Sequence, residues 1–267
     1  MKTIKLHKQE HDVKIGKDCP YYEPNIKEDC LLEVDGEVVG FYINDVSNYS
    51  NKLSQLISIS NKEFRSDNVP KQEMSRGPQG TKKDKLQRQK EGKNLVTQFS
   101  TILGSVAPKP HMRRPYPTIS SVHRENKSKT FIRAMWGASV EAEKIIKQLT
   151  PEIYKSQLEL FKDVNKKWRF GNMFTSSISN FNIAAAYHRD TGNIVGAVNV
   201  ILTKRNNSNG GSLNVPDYNV TFEQADNSML VYPAWKNIHG VTPIIKTSED
   251  GYRNTLIFYP LKAFKGI

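Results

Sequence analysis

The chain has 267 residues, 37% of them hydrophobic and 25% charged, and its 39 Lys and Arg against 27 Asp and Glu leave a net charge of +12. This composition belongs to a folded chain with room for one sizeable core and excludes a disordered one. No apolar run reaches the ~20 residues of a membrane span. The opening residues lack the apolar stretch of a signal peptide. Two cysteines, Cys19 and Cys30, are too few for a disulfide framework or a four-thiolate zinc site. We therefore expect a soluble protein of a reducing, cytoplasmic compartment, without a membrane partner and with no obligate protein partner evident.

In chain order, Asp35-Gly36 between apolar β-formers predicts a hairpin over 31–42, because a tight type I′ turn needs positive φ at both central positions. Leu53, Leu56, Ile57 and Phe64 recur at helical spacing. Residues 66–93 are polar, broken at Gly77-Pro78, and read as a long exposed loop or basic arm. Residues 104–121 carry Pro108, Pro110, Pro115 and Pro117 among Arg113, Arg114 and Tyr116, which predicts an extended, stiffened loop. Such a loop suits phosphate contact and base stacking, or it is a strap packed across the domain. A helix is expected over 128–149, and a second from Thr150-Pro151 to about Lys162 with Thr150 as its cap.

The positive charge is concentrated. Residues 62–93, which include Lys82 and Lys83, hold ten basic against five acidic side chains, and residues 108–133 hold seven basic against one acidic. A focused basic surface attracts polyanions, although a solvated face with no partner has the same composition.

After Trp168 short β-rich runs alternate with turns: 174–187, 194–204, 212–222, 228–232 and 252–259. That rhythm predicts an antiparallel sandwich or barrel. The fold class is therefore α+β, with N-terminal helices and a basic N-terminal region supporting a C-terminal β-core.

Within that core, Tyr187-His188-Arg189-Asp190 places His188 and Asp190 two residues apart, on one face if both lie on a strand. His239 follows at the end of another β-run. Two histidines and one carboxylate on one face form the ligand set of non-haem Fe(II) oxygenases, with positions left open for other ligands. His-x-Asp alone recurs by chance, and the β-core and distal histidine add the weight. Arg253 lies 14 residues further on, with Thr255 two residues beyond it on the same strand face. A strand arginine facing a metal cavity can hold a carboxylate bidentately, and 2-oxoglutarate is the matching cosubstrate.

These residues resemble the TET/JBP family of Fe(II)/2-oxoglutarate nucleobase dioxygenases, including its short phage-encoded members. The resemblance rests on His188-Arg189-Asp190-Thr191-Gly192-Asn193, Gly210-Gly211-Ser212-Leu213-Asn214-Val215-Pro216, His239-Gly240-Val241-Thr242-Pro243 and Arg253-Asn254-Thr255-Leu256-Ile257-Phe258-Tyr259. It implies a double-stranded β-helix (jelly-roll) core over 166–267, supported by 1–165, within a single oxygenase domain. It implies Fe(II), 2-oxoglutarate and O2 as cofactors and cosubstrates, with His188, Asp190 and His239 as catalytic metal ligands and Arg253 with Thr255 holding the cosubstrate. It implies a base flipped out of DNA and contacted by Asn193 and Tyr259, with Arg113, Arg114, Tyr116, Lys82 and Lys83 gripping the DNA. The expected reaction is hydroxylation of 5-methylcytosine to 5-hydroxymethylcytosine. Leu261 stands where the TET branch carries a second base-contacting histidine, so thymine hydroxylation to 5-hydroxymethyluracil is the alternative. A protein or small-molecule hydroxylase on the same core is a further one.

Overall fold

In the computed structural model, which describes residues 1–74 and 97–267, the Asp35-Gly36 turn joins β2 (Cys30–Val34) to β3 (Glu37–Ile43). Both turn residues have positive φ, 52° and 83°, as the sequence predicts. β1 (Lys2–Lys5) pairs in parallel with β2. Ser50 then accepts the Leu53 amide proton and starts α1 (Asn51–Arg65), whose Leu53, Ile57 and Phe64 are buried. β4 (Gln72–Glu73), β5 (Phe99–Val106) and β6 (Thr118–Ile119) follow. α2 (Lys129–Leu149) packs on α1, with Gly137 lying directly beneath Leu56.

α3 spans Pro151–Leu160, two residues short of the expected end. Thr150 does not cap it. Its hydroxyl donates instead to the Ile146 carbonyl, which closes α2. The proline-rich segment is also less extended than expected. Lys109 and Arg114 exchange two backbone hydrogen bonds around a single 3-10 turn at Pro110–Met112, with Arg113 in the left-handed region at φ 57°. Proline's fixed φ suits the first position of that turn.

From residue 176 the chain passes back and forth between two sheets. β7 (Ser176–Phe181), β9 (Asn199–Asn206), β13 (Met229–Tyr232) and β16 (Tyr252–Tyr259) lie in the large sheet. β8 (Ala185–His188), β11 (Leu213–Val215), β12 (Val220–Phe222) and β14 (His239–Val241) form the small one. A short ribbon pairs β10 (Ser208–Gly210) with β15 (Ile244–Lys246). The large sheet runs β1-β2-β3-β13-β9-β16-β7-β5-β4, and the small one runs β12-β11-β14-β8. This alternation is a double-stranded β-helix, the jelly-roll core.

The pleat decides what each strand does. Leu256 and Phe258 of β16, Val200 and Leu202 of β9, and Met229 and Val231 of β13 point to the helices and join the main core with Phe131, Met135 and Ala142 of α2. Burying each such side chain contributes about 1.5–3 kcal/mol. The alternate residues, Arg253, Thr255, Ile257 and Tyr259 of β16 and Asn199 and Ile201 of β9, face the space between the sheets. Among the described residues no helix is long and apolar enough to cross a membrane.

Candidate active site

β8 and β14 pair antiparallel with His188 directly opposite His239. β8 ends at His188, so Asp190 lies in the following loop and not on the strand. His239 opens its strand, where the sequence placed it at a strand's end. The carboxylate is brought round by the loop, which is fixed where the Asp190 amide donates to the Ala234 carbonyl at 3.2 Å.

His188 Nε2 is 3.5 Å and His239 Nε2 is 3.9 Å from Asp190 Oδ1. One ligand atom from each residue lies within 4.8 Å of the others. Each imidazole sits within hydrogen-bond reach of the backbone carbonyl two residues before it, His188 Nδ1 to Ala186 at 2.8 Å and His239 Nδ1 to Asn237 at 3.1 Å. A carbonyl only accepts, so Nδ1 carries the proton and Nε2 keeps its lone pair for a metal. Burial and the neighbouring His188 push His239 down to about 4, so its ring is neutral at pH 7. Two imidazoles and a carboxylate converging from one side fit Fe(II).

Across the cavity, of about 440 Å³, stands Arg253. It is 3% exposed, and among the described residues no carboxylate lies within ion-pair distance. Burial and the facing Arg205, its partner on β9, push it down to about 9. Its Nη1 donates to the Ile183 carbonyl and its Nη2 to Gln224 Oε1, while its Nε and the Gln224 Nε2 are both buried without an acceptor. An unneutralised guanidinium beside a second orphaned donor fits an incoming carboxylate. Thr255 lines the same wall. Gly211, at φ 66°, makes room for this arginine, since a Cβ there would lie 2.4 Å from Arg253 Cδ.

Tyr232 stands edge-on to His239, ring centroids 5.5 Å apart at 88°, and its phenol is held well above its usual range by burial and by the charge of Asp190. Tyr259 is raised by the same two causes. Asn193, Tyr259 and Leu261 line the cavity on the side of the Asp190 loop. Residues 192–194 and 260–262 form a two-stranded stitch: Asn193 bridges Leu261, the Ile194 amide donates to the Pro260 carbonyl, and the Lys262 amide donates to the Gly192 carbonyl. Phe264 anchors the tail beyond it against Trp168, Phe161 and Ile194. Apolar walls from Ile183, Ala185, Leu213 and Val241 complete the chamber.

Arg113, Arg114 and Tyr116 lie on the exposed proline-rich loop, with Tyr116 76% exposed. Gly104, Ser176 and Tyr259 align across β5, β7 and β16, so this loop leaves the sheet at the end where β16 delivers Tyr259. Lys82 and Lys83 lie outside the described residues. Sequence reasoning missed Asn199, Gln224 and Tyr232, for which no local pattern exists, and Arg189, an exposed arginine at the cavity. Gly211 stood in a quoted motif without an assigned role.

Fold, histidine–carboxylate cluster and facing arginine together define an oxygenase that uses Fe(II), 2-oxoglutarate and O2. The chain belongs to the Tet_JBP family, the oxygenase domain of the 2OGFeDO superfamily, whose sequence pattern matches residues 106–262. Among solved structures it is similar to NgTET1 in complex with 5mC DNA, at a TM-score of 0.57 and 14% identity, covering 95% of this chain and 84% of that one. It is similar also to a 2OG-Fe(II) oxygenase-family oxidoreductase from Burkholderia pseudomallei, at 0.44 and 13%, covering 82% and 83%. No curated protein sequence matches it.

Proposed function

We propose that this protein hydroxylates the 5-methyl group of 5-methylcytosine in DNA, giving 5-hydroxymethylcytosine. One observation carries the reading: the metal cluster and Arg253 share a single cavity with Asn193, Tyr259 and Leu261, a wall able to receive a planar base. Iron and 2-oxoglutarate, when bound, supply the oxidation, in which one atom of O2 enters the methyl C–H bond and the other leaves in succinate as CO2 departs.

The chain's own residues do the rest. His188, Asp190 and His239 hold the metal. Arg253 and Thr255 take the far carboxylate of the cosubstrate. The apolar walls exclude water, which protects an unselective oxidation from side reactions. A base within a duplex cannot reach such a chamber and is flipped out of the stack, with Asn193 and Tyr259 contacting it. Arg113, Arg114 and Tyr116, at the Tyr259 end of the sheet, grip the DNA, joined by Lys82 and Lys83. On this reading residues 166–267 are the oxygenase core and 1–165 its support, one domain in all. The comparison with NgTET1, solved with 5mC DNA, supports the choice of substrate.

Mass spectrometry of nucleosides tests it, after incubating methylated DNA with the protein, Fe(II) and 2-oxoglutarate. We expect loss of 5-methylcytosine matched by 5-hydroxymethylcytosine. Unchanged 5-methylcytosine in the presence of a competent site would overturn the proposal. The alternative is thymine hydroxylation, since Leu261 supplies no polar group that would tell the two bases apart, and the same assay on unmethylated DNA reads it.

A further inference from the structure

Asp190 is held by more than its loop. Asn199 Nδ2 donates to Asp190 Oδ2 at 2.9 Å, and Asn193 Nδ2 donates to Asn199 Oδ1 at 2.8 Å. All three residues lie at the cavity, Asn193 and Asn199 with 3% and 2% exposure.

The chain has one polarity. An ionised carboxylate only accepts, so Asn199 must turn its amino group to Asp190. Its carbonyl then faces Asn193, which must turn its own amino group inward. Asn193 Oδ1 is left over. Among the described residues nothing donates to it, it is not one of the sealed, orphaned polar atoms, and Asn193 lines the cavity. The metal ligand therefore dictates, through two amides, that the chamber offers a hydrogen-bond acceptor.

We propose that Asn199 is a positioning residue that fixes Asn193 with its carbonyl toward the bound base, and that this selects a 4-aminopyrimidine over a 4-oxopyrimidine. The inference rests on the reading above that a pyrimidine 5-methyl group is the target. With that methyl turned to the metal, the adjacent polar substituent is the one on C4. In 5-methylcytosine it is an amino group, a donor that Asn193 Oδ1 satisfies. In thymine it is a carbonyl, and two acceptors would face each other out of water. A buried mismatch of this kind lowers kcat/KM by roughly ten- to hundredfold. Leu261, beside Asn193, offers the base no donor of its own.

The test uses the iron- and 2-oxoglutarate-loaded protein on three single-stranded oligonucleotides that differ only in the target base: 5-methylcytosine, thymine and 5-methyl-2-pyrimidinone, which lacks the 4-amino group. Wild type is expected to prefer 5-methylcytosine over both others by at least about tenfold. Asn199→Val is expected to bring the three within about threefold, because Asn193 is then free to flip. Asn199→Thr, whose hydroxyl can donate and accept, is expected to keep more of the preference than valine does. The rate ratio is unaffected by how much of a variant is folded. Anaerobic binding of the same oligonucleotides to the Mn(II)-loaded protein should show the same ordering. Equal use of thymine or 5-methyl-2-pyrimidinone by wild type overturns the proposal whether or not the variants fold, and so does full preference in Asn199→Val. If none of the three bases is oxidised while 2-oxoglutarate still binds, the DNA reading itself fails, an outcome distinct from loss of selectivity.

Discussion

His188 and His239 are cross-strand partners, one from each of two adjacent antiparallel strands, with ring centroids 4.3 Å apart. Residues 51 positions apart in sequence are thus fixed by a single register, and a slip of one residue would turn one imidazole out of the site.

That register gives the first prediction. Mn(II), an O2-inert stand-in for Fe(II), should raise the melting temperature in proportion to occupancy, with about 2.7 kcal/mol of stabilisation at a hundred times Kd. A chelator should reverse the rise. His188→Ala and Asp190→Ala should each abolish it, and a persisting shift in either would show that the metal sits elsewhere. Scanning calorimetry with and without metal measures this.

Arg253 sets up an opposite pair of effects. A buried cation with no counter-charge costs stability in the ligand-free protein, and an apolar residue of similar length removes that cost. Arg253→Met should leave the ligand-free protein as stable or more stable, by about 1–3 kcal/mol. The same change should abolish stabilisation by 2-oxoglutarate. Arg253→Lys should not restore it, because a point charge lacks the bidentate fork. Denaturant titration with and without 2-oxoglutarate separates the two effects. A destabilised Arg253→Met would mean that the guanidinium is satisfied within the protein.

Gly211 is expected to act through its neighbour. In Gly211→Ala the new methyl meets Arg253 Cδ at 2.4 Å, and φ of 66° strains any side chain. We expect a loss of about 1–2 kcal/mol in stability. The KM for 2-oxoglutarate should rise at least about tenfold while metal affinity stays within about twofold. An unchanged KM would show that the arginine has another place to go.

Binding of DNA should depend steeply on salt. Each phosphate neutralised contributes about −0.9 to the slope of log K against log salt for duplex, or −0.7 for single strands. Replacing Arg113 and Arg114 together by Ala should therefore flatten the slope by up to about two phosphate contacts and weaken binding similarly across sequences. Fluorescence anisotropy from 50 to 300 mM salt reads both. An unaltered slope would move the DNA contact away from this loop.

Much of the site was legible because its residues carry chemistry at short, strand-compatible spacing. The alternation of Arg253, Thr255, Ile257 and Tyr259 with Leu256 and Phe258 along β16 encodes which face meets the cavity and which meets the helices. The hairpin at Asp35-Gly36 and the periodic face of α1 were equally local. What escaped was set by distant partners. Asp190 reaches the metal cluster from a loop that Ala234 and Asn199 hold, and nothing near it in sequence says so. β5 is a strand because β7, more than 70 residues away, supplies its ladder, and its own Ser100, Thr101 and Gly104 give a weak pattern. Thr150 looked like a cap and serves the preceding helix, since its hydroxyl has two helix ends within reach.

The stitch between residues 192–194 and 260–262 ties one wall of the substrate chamber to the end of the chain. Phe264 is the anchor of that tail, wedged by Trp168 at the corner where α3 turns into the barrel. A disturbance at this corner, or a load on the last residues, thus bears on Asn193 and, through Asn199, on Asp190, whereas His188 and His239 are held by the β8–β14 ladder. The chain's tail and the carboxylate of the cluster are therefore linked through a single asparagine, Asn199, while the two imidazoles answer to a separate ladder.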